Sequence, residues 1–382
     1  MPWQPDDSEP RMYHKGESRG AYPSGRGLEA EPPIVLASHT SIRYSIGGEW
    51  SFFTDMTQKI GLLGSDNSHV ERFSEILNVA DHPSYWADSG ARVSVIWGPD
   101  PERTWEGAAN GQIPIIADSP EQVIAECDMV FVISRDAGLH LGYAKHAIAA
   151  GKPLFVDKPL TQTPDQAREL ISLSRKAGIP MTSFSTLRYG SDAIAFGEGI
   201  ETAGAIRYAS YMGPAARNSP HGGVLFYAIH SVELMQHFHG HDVTSVRAVE
   251  SPPGADRSNI NVTCTYADGT LVSIALIGDG VYLFYMMAVG QEGIVEVPGT
   301  ARNYAADAES RARAESAKTQ VVRESEDKPR ADHYELGMRQ ILGVLRGERP
   351  GIADEEMLGS IQLCAAIEES LQSGKAIDPR SL

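Results

Sequence analysis

Apolar and polar positions alternate along this chain in two textures. From Lys59 a short apolar run, Ile60-Gly61-Leu62-Leu63, leads through a glycine-bearing turn into a segment of helical period ending near Leu77, which Ser68 and Glu71 open as a capping box. The alternation repeats, with strands at Arg92–Trp97, Met129–Ser134 and Leu154–Val156 and helices around Pro120–Glu126 and through Ala149. Past Pro159, Thr163 stands as an N-cap, Pro164 takes the first helical position, Gln166 completes a capping box and Gly178 follows the helix end. Strands separated by helices predict a doubly wound parallel sheet, a Rossmann-type domain over 56–183.

Beyond Phe184 the strand candidates lengthen: Ile206–Met212, Asn261–Tyr266, Leu271–Ile277 and Val281–Val289, with a helix near Ile229–Phe238 and helical period over His333–Leu345 and Glu355–Leu371. This predicts a C-terminal α+β substrate domain over 184–382, its mostly antiparallel sheet faced by helices on one side. Tyr282-Leu283-Phe284-Tyr285-Met286-Met287 is apolar on both faces, so a second subunit is the expected cover and a homo-oligomer the expected state. Ala301–Arg330 is highly charged and reads as a solvated excursion. Residues 1–55, rich in Pro, Gly, Ser and charge and without apolar period, read as a disordered, dispensable extension; Met56 is an equally good natural start.

Bulk numbers narrow the partners. A chain of 382 residues exceeds one growing core, in line with two domains. The 33 Lys+Arg against 50 Asp+Glu leave a net charge of −17, which repels phosphate backbones and anionic lipid heads, so nucleic acid and membrane are excluded as expected partners. No apolar run nears the ~18 residues of a bilayer span and no signal segment stands at the N-terminus, which makes the cytoplasm the expected location. Cys127, Cys264 and Cys364 lie far apart with no C-x-x-C pair, a pattern of reduced, partly buried thiols.

The turn after the first strand carries the first candidate chemistry. A dinucleotide site sets backbone N–H groups and a helix N-terminus against the pyrophosphate, with glycines as G-x-G-x-x-G. Here Gly64-Ser65-Asp66-Asn67-Ser68-His69 keeps the first glycine, while Asp66 and His69 stand at the second and third. The second strand ends Trp97-Gly98-Pro99-Asp100, so Gly98 occupies the place of the ribose-binding acid. A missing acid leaves room for a 2′-phosphate, so of NAD and NADP the latter is slightly favoured.

The segment Ala149-Ala150-Gly151-Lys152-Pro153-Leu154-Phe155-Val156-Asp157-Lys158-Pro159-Leu160 resembles the strand ending in Glu-Lys-Pro of the glucose-fructose oxidoreductase and inositol dehydrogenase (Gfo/Idh/MocA) family. Arg135–His140 followed by a helix, and Arg188, match that family in spacing over residues 58 to about 380. The resemblance implies cofactor contacts along Gly64–His69 and at Ser134, Arg135, His140, Asp157, Lys158 and Arg188. It also gives Lys158 the task of reaching the substrate hydroxyl and the nicotinamide ribose.

A second segment, Gly222-Gly223-Val224-Leu225-Phe226-Tyr227-Ala228-Ile229-His230, is similar to the family's glycine pair followed by D-x-G-x-H, with Phe226 in place of the aspartate. His230 then matches the catalytic histidine, and an imidazole suits the proton of an alcohol under oxidation. Tyr227 is a further hydroxyl beside it, with core packing as the alternative. His237, His239 and His241 invite a metal, but no carboxylate or cysteine stands at a recognised interval, and solvated or helix-capping histidines are expected. The expected function is NAD(P)-dependent oxidation or reduction at a CH–OH group of a sugar, cyclitol or related polyol. The alternatives are an NAD-assisted lyase, hydrolase or isomerase on a carbohydrate and a cofactor-free binding protein of the same fold.

Overall fold

The computed structural model describes residues 57–215, 217–255, 258–278, 280, 283–297 and 333–382, with the main chain of a two-residue antiparallel ladder, Ser45–Ile46 (β1) against Glu49–Trp50 (β2). Apart from that ladder, the expectations for 1–55 and for 301–330 lie outside the described residues.

Six strands form the first sheet: β3 (Gln58–Leu63), β4 (Ala91–Trp97), β5 (Ile115–Ile116), β6 (Met129–Val132), β7 (Leu154–Val156) and β8 (Met181–Thr182). All pairs are parallel and the order is β5-β4-β3-β6-β7-β8. Counted from β3 this is 3-2-1-4-5-6, the doubly wound order, whose ligand crevice opens where the order reverses, between β3 and β6. The strands are buried on both faces, as a parallel sheet between helices demands. The helices are α1 (His69–Asn78), α2 (Pro101–Asn110), α3 (Pro120–Glu126), α4 (His140–Ala149) and α5 (Pro164–Ala177).

Two predicted helix starts fare differently. At α5, Thr163 Oγ1 accepts the Gln166 N–H (3.3 Å) and Gly178 ends the helix at φ +65°. At α1 the expected capping box does not form: Ser68 has helical dihedrals and its hydroxyl caps nothing. Asn67 Oδ1 accepts the His69 N–H instead (2.8 Å), and Glu71 is drawn off by a two-pronged ion pair with Arg103 at 2.7 and 2.8 Å. A charged bidentate partner outcompetes a neutral capping bond.

The second sheet holds β9 (Ile206–Pro214), β10 (Val243–Ser251), β11 (Asn259–Tyr266), β12 (Leu271–Ile277), β13 (Tyr285–Gly290) and β14 (Ile294–Val297). Its order is β10-β11-β12-β9-β13-β14, antiparallel throughout except between β9 and β12. Strand β10 escapes a period-two reading because its register shifts between Val243 and Ser245, which puts Val243 and Val246 on one face three residues apart. Strand β13 begins at Tyr285, later than the expected Val281.

One face of this sheet is covered by α7 (Leu225–His239) and the last helix, α9 (Asp354–Ser373), over Ala209, Tyr211, Val262, Cys264, Val272 and Ile274. The helix α6 (Ser191–Thr202) lies over its β13–β14 edge. The helix α8 (His333–Leu345) departs from the sequence order of domains. Its Met338, Ile341, Leu342 and Leu345 are buried with Ile60, Phe73, Phe131 and Phe155 of the first domain. Arg346 just beyond it reaches Gln58 Oε1 and the Ser89 carbonyl, both at 2.7 Å. A cut at 184 therefore divides the chain in sequence but not in space. No helix among the described residues is long and apolar enough to cross a membrane.

Candidate active site

The crevice at the β3–β6 switch point is built by close main-chain approach. Gly64 sits at φ +111°, and a Cβ there would lie 2.4 Å from the Ser134 nitrogen, so only glycine fits. The two non-glycine positions of the turn are accommodated by turning inward. Asp66 Oδ1 accepts the Arg135 N–H at 2.9 Å, which takes its charge out of the phosphate position. His69 turns its imidazole to Asp157, Nδ1 to Oδ2 at 2.6 Å, while its Nε2 meets the Tyr334 hydroxyl at 3.1 Å. With Gly64 in its tight turn, these two side chains folded back and α1 pointing its N-terminus at the crevice, the residues present fit a dinucleotide pyrophosphate.

At Gly98 the expectation of an open space is corrected. A Cβ there would stand 1.8 Å from Ser65 Oγ and 2.8 Å from Thr104 Oγ1, which are themselves hydrogen-bonded at 2.7 Å. The acid has been replaced by packing, not by a cavity. Asp100, two residues on, spends its carboxylate on the Glu102 and Arg103 N–H groups at the start of α2.

Asp157 and Lys158 follow β7. Burial works to raise the Asp157 carboxyl, but the adjoining His69 and then Lys158 outweigh it and hold the group below its ordinary value. Lys158 extends its ammonium over the Phe226 ring, 5.5 Å from the centroid. The phenyl face thus meets the lysine from the position where the family pattern has a carboxylate, a weaker but still attractive contact for a cation.

His230 comes from the opposite domain, on the inner side of α7. It is 9% exposed, and its Nδ1 lies 2.7 Å from Ser185 Oγ. The Phe284 ring closes on it at 5.4 Å and Tyr227 stands at 6.5 Å. Burial first, then the charge of Lys158, holds the imidazole well below 6.5, so it is neutral at neutral pH. One turn along α7, Glu233 is buried and accepts the Ser185 N–H. Burial, outweighing that bond and Arg188, pushes its carboxyl up to about 7.

Lys158, His230 and the Gly64–His69 turn are therefore gathered at one crevice, with Tyr227 on its flank. Two expected cofactor contacts stand elsewhere. His140 is fully buried, and its ring nitrogens face the Ser134 carbonyl (2.7 Å) and the Pro159 carbonyl (2.9 Å), so it ties the β6 loop to the Lys158 loop. Arg188 is a buried tie between domains: its Nη2 meets Glu356 Oε1 at 2.5 Å and His237 Nδ1 at 2.8 Å. His237 and His241 are exposed as expected, but His239 is neither solvated nor a cap, since its Nε2 receives the Tyr211 hydroxyl at 2.8 Å. Ser185, Glu233, Phe284 and Tyr334 escaped the sequence reading. Only Glu233, three residues after His230 on the same helix, carried a signal that could have found it.

The model of a family described as "Oxidoreductase family, NAD-binding Rossmann fold" (GFO_IDH_MocA) matches residues 60–183. The chain is 34% identical over 83 residues to an uncharacterized oxidoreductase of Escherichia coli, YhhX, which is 22% of this chain and 24% of that protein. It is 26% identical over 266 residues to the inositol 2-dehydrogenase of Paracoccus denitrificans, 64% of this chain and 74% of the relative. Among solved structures, a putative myo-inositol dehydrogenase from Sinorhizobium meliloti superposes with a TM-score of 0.67 at 15% identity, covering 84% of this chain and 99% of that one. The myo-inositol dehydrogenase of Lactobacillus casei, solved with NAD(H) and myo-inositol, does so with 0.65 at 18%, covering 85% and 97%. The structures share the fold, and residues 60–183 match the NAD-binding Rossmann domain of the Gfo/Idh/MocA oxidoreductase family.

Proposed function

We propose that this protein transfers a hydride between a nicotinamide dinucleotide and a CH–OH carbon of a sugar, cyclitol or related polyol. The observation that carries this reading is that Lys158, from the first domain, lies over the Phe226 ring of the helix that also carries the buried His230 of the second, beside a crevice whose Gly64 turn fits a dinucleotide. Bound in that crevice, the nicotinamide supplies the hydride acceptor for oxidation and the donor for reduction. The Gly64–His69 turn and the α1 N-terminus hold the pyrophosphate. Lys158 donates a hydrogen bond to the reacting oxygen and stabilises negative charge as it develops there. His230 takes the hydroxyl proton on its Nε2 as the C–H bond is broken, and returns it in the reverse direction. Phe226 removes a hydroxyl-binding carboxylate from this wall, which separates its substrate preference from that of a fully hydroxylated cyclitol.

Of the two dinucleotides NADP remains the slightly better fit, on altered grounds. No carboxylate ends β4 and Asp100 is spent on the helix cap, so no acid faces a 2′-phosphate there. The assembly is a homo-oligomer through the uncovered face of the second sheet, where Tyr208, Met212, Ala275, Ile277, Met287 and Val289 are half-buried and Leu271 is 45% exposed.

The test is a panel of sugars, cyclitols and their keto forms, followed at the nicotinamide absorbance band with each cofactor. Turnover of at least one member is the expected result. Tight cofactor binding with no redox change across the panel would replace this reading by transient use of NAD in a lyase or isomerase.

A further inference from the structure

Three elements meet on one imidazole beside the crevice. His69 is the first residue of α1, Asp157 follows β7 directly, and Tyr334 stands on the first turn of α8. The His69 Nδ1 lies 2.6 Å from Asp157 Oδ2 and its Nε2 3.1 Å from the Tyr334 hydroxyl, so both ring nitrogens are engaged. Phe73 and Tyr334 pack against the same ring, each with its centroid 5.3 Å away. Asp157 is buried, and the main-chain N–H and the ammonium of Lys158, the next residue, both act on its carboxylate. A hydrogen bond to an ionised acceptor is about twice as strong as a neutral one, so His69 is a firm grip on the chain at the base of the lysine. The charge of His69 in turn reaches the His230 ring, which sets this array at the edge of the proposed site. None of the three side chains takes part in the proposed chemistry, and a glycine at residue 69, as the G-x-G-x-x-G pattern has it, could make neither bond.

We infer that His69, held by Tyr334, is a positioning residue for Lys158. Through the Asp157 carboxylate it fixes the segment that carries the lysine, and as the first residue of α1 it ties that segment to the helix end facing the pyrophosphate. The inference rests on Lys158 as the group that meets the reacting oxygen, and adds what keeps it there. A lysine side chain is a flexible stem, and the contact of its ammonium with the Phe226 ring, 5.5 Å from the centroid, is weak by itself. A rigid base narrows the arc that this stem can sweep. Because α1 and the end of β7 share one side chain, a dinucleotide that settles on the α1 N-terminus also settles the base of the lysine. Histidine in place of glycine thereby turns an open turn into a link between the cofactor seat and the catalytic group.

Spectra of the whole protein with 13C-labelled lysine read this placement without any substrate. The terminal methylene of Lys158, assigned by its loss in Lys158→Met, should be shifted by the Phe226 ring, and Phe226→Leu should abolish that shift. In His69→Gly, which restores the glycine of the pattern, the signal should return toward that of a free lysine. Tyr334→Phe, which removes only the hydroxyl, should move it part of the way, and His69→Asn, whose amide still donates to Asp157, should hold it near its original place. An unshifted Lys158 signal in the wild type, or one that His69→Gly and Tyr334→Phe leave unmoved, overturns the inference while the proposed hydride transfer stands. With a turnover substrate and saturating cofactor, His69→Gly should lower kcat about 10- to 100-fold, up to what a misplacement of about 1 Å costs. KM should change little, and His69→Asn should restore much of the loss. A fall in kcat with the lysine signal unmoved, or an equal fall in His69→Gly and His69→Asn, assigns His69 to packing alone and also overturns the inference. Lysine signals that behave as stated in a protein that turns over no substrate support the tie between His69 and Lys158 and count against the hydride-transfer reading alone.

Discussion

Gly98 and Lys158 illustrate opposite fates for residues singled out by pattern. At Gly98 the absent acid looked like room for a 2′-phosphate, yet any Cβ there collides with the buried Ser65 and Thr104. Gly98→Asp is therefore expected to weaken NADH and NADPH together, by displacing the Ser65 turn, as fluorescence titration of both cofactors can show; loss of NADPH affinity alone would return the open-space reading. Lys158, over the Phe226 ring, and His230, beside Tyr227, are the proposed catalytic pair. Lys158→Met and His230→Ala are each expected to leave cofactor binding nearly intact and to lower turnover about 10²- to 10⁴-fold, with the double variant far from additive because both act on one proton. Full turnover in His230→Ala would move the proton to another group, with Tyr227 next to test. The turn itself makes a smaller point. Asn67→Ala should cost roughly 1 kcal/mol as the loss of the true cap of α1, while Ser68→Ala should cost almost nothing, both measured by chemical denaturation.

Helix α8 shows how an element can belong to a partner that its sequence position does not suggest. Helix α8 buries Ile341 and Leu342 completely in the first domain's core, more than 270 residues after the strand they cover. Leu342→Ala should destabilise by about 2–5 kcal/mol, as for other fully buried leucines, and should weaken cofactor binding because Tyr334 on the same helix holds His69. On α7, burial, against a smaller opposing pull from Asp268, lowers His239 to about 4. A histidine lowered in the folded state favours folding while neutral, so its contribution is complete above about 6.5 and is lost as pH falls through about 4. Glu233 acts with the opposite sign: raised to about 7, it favours the fold below 4.5 and loses that contribution as pH rises through 7. As pH falls from 7 to 4, the thermal midpoint of His239→Gln, which keeps an acceptor for the Tyr211 hydroxyl, should rise relative to the wild type; an unchanged difference would remove His239 from the account.

Across the whole molecule, the exposed side of the second sheet and the site between domains are the two features with no local origin. Leu271→Lys together with Met212→Lys, both on the uncovered face, should convert the proposed homo-oligomer to a monomer in sedimentation equilibrium without lowering cofactor affinity; a wild-type monomer would dismiss the interface. The pattern of the chain by itself determined the doubly wound sheet, the mostly antiparallel second sheet, the well-capped helix α5 and the short motifs that carry Lys158 and His230. Each of these rests on local periodicity, on turn chemistry or on a short motif whose residues lie close in sequence. Strand β10 was lost to a bulge that breaks its period, and β14 is an edge strand with little apolar alternation. Tertiary structure alone decided the rest. The turning of Asp66 and His69 out of the phosphate path, the filled space at Gly98 and the engagement of His140 and Arg188 by protein groups each involve at least one partner 19 or more residues away. The hydrogen bond between Ser185 and His230 joins residues 45 apart. A side chain's choice among such distant partners is made by which of them the fold desolvates beside it, and that is a property of three-dimensional packing that no one-dimensional pattern contains.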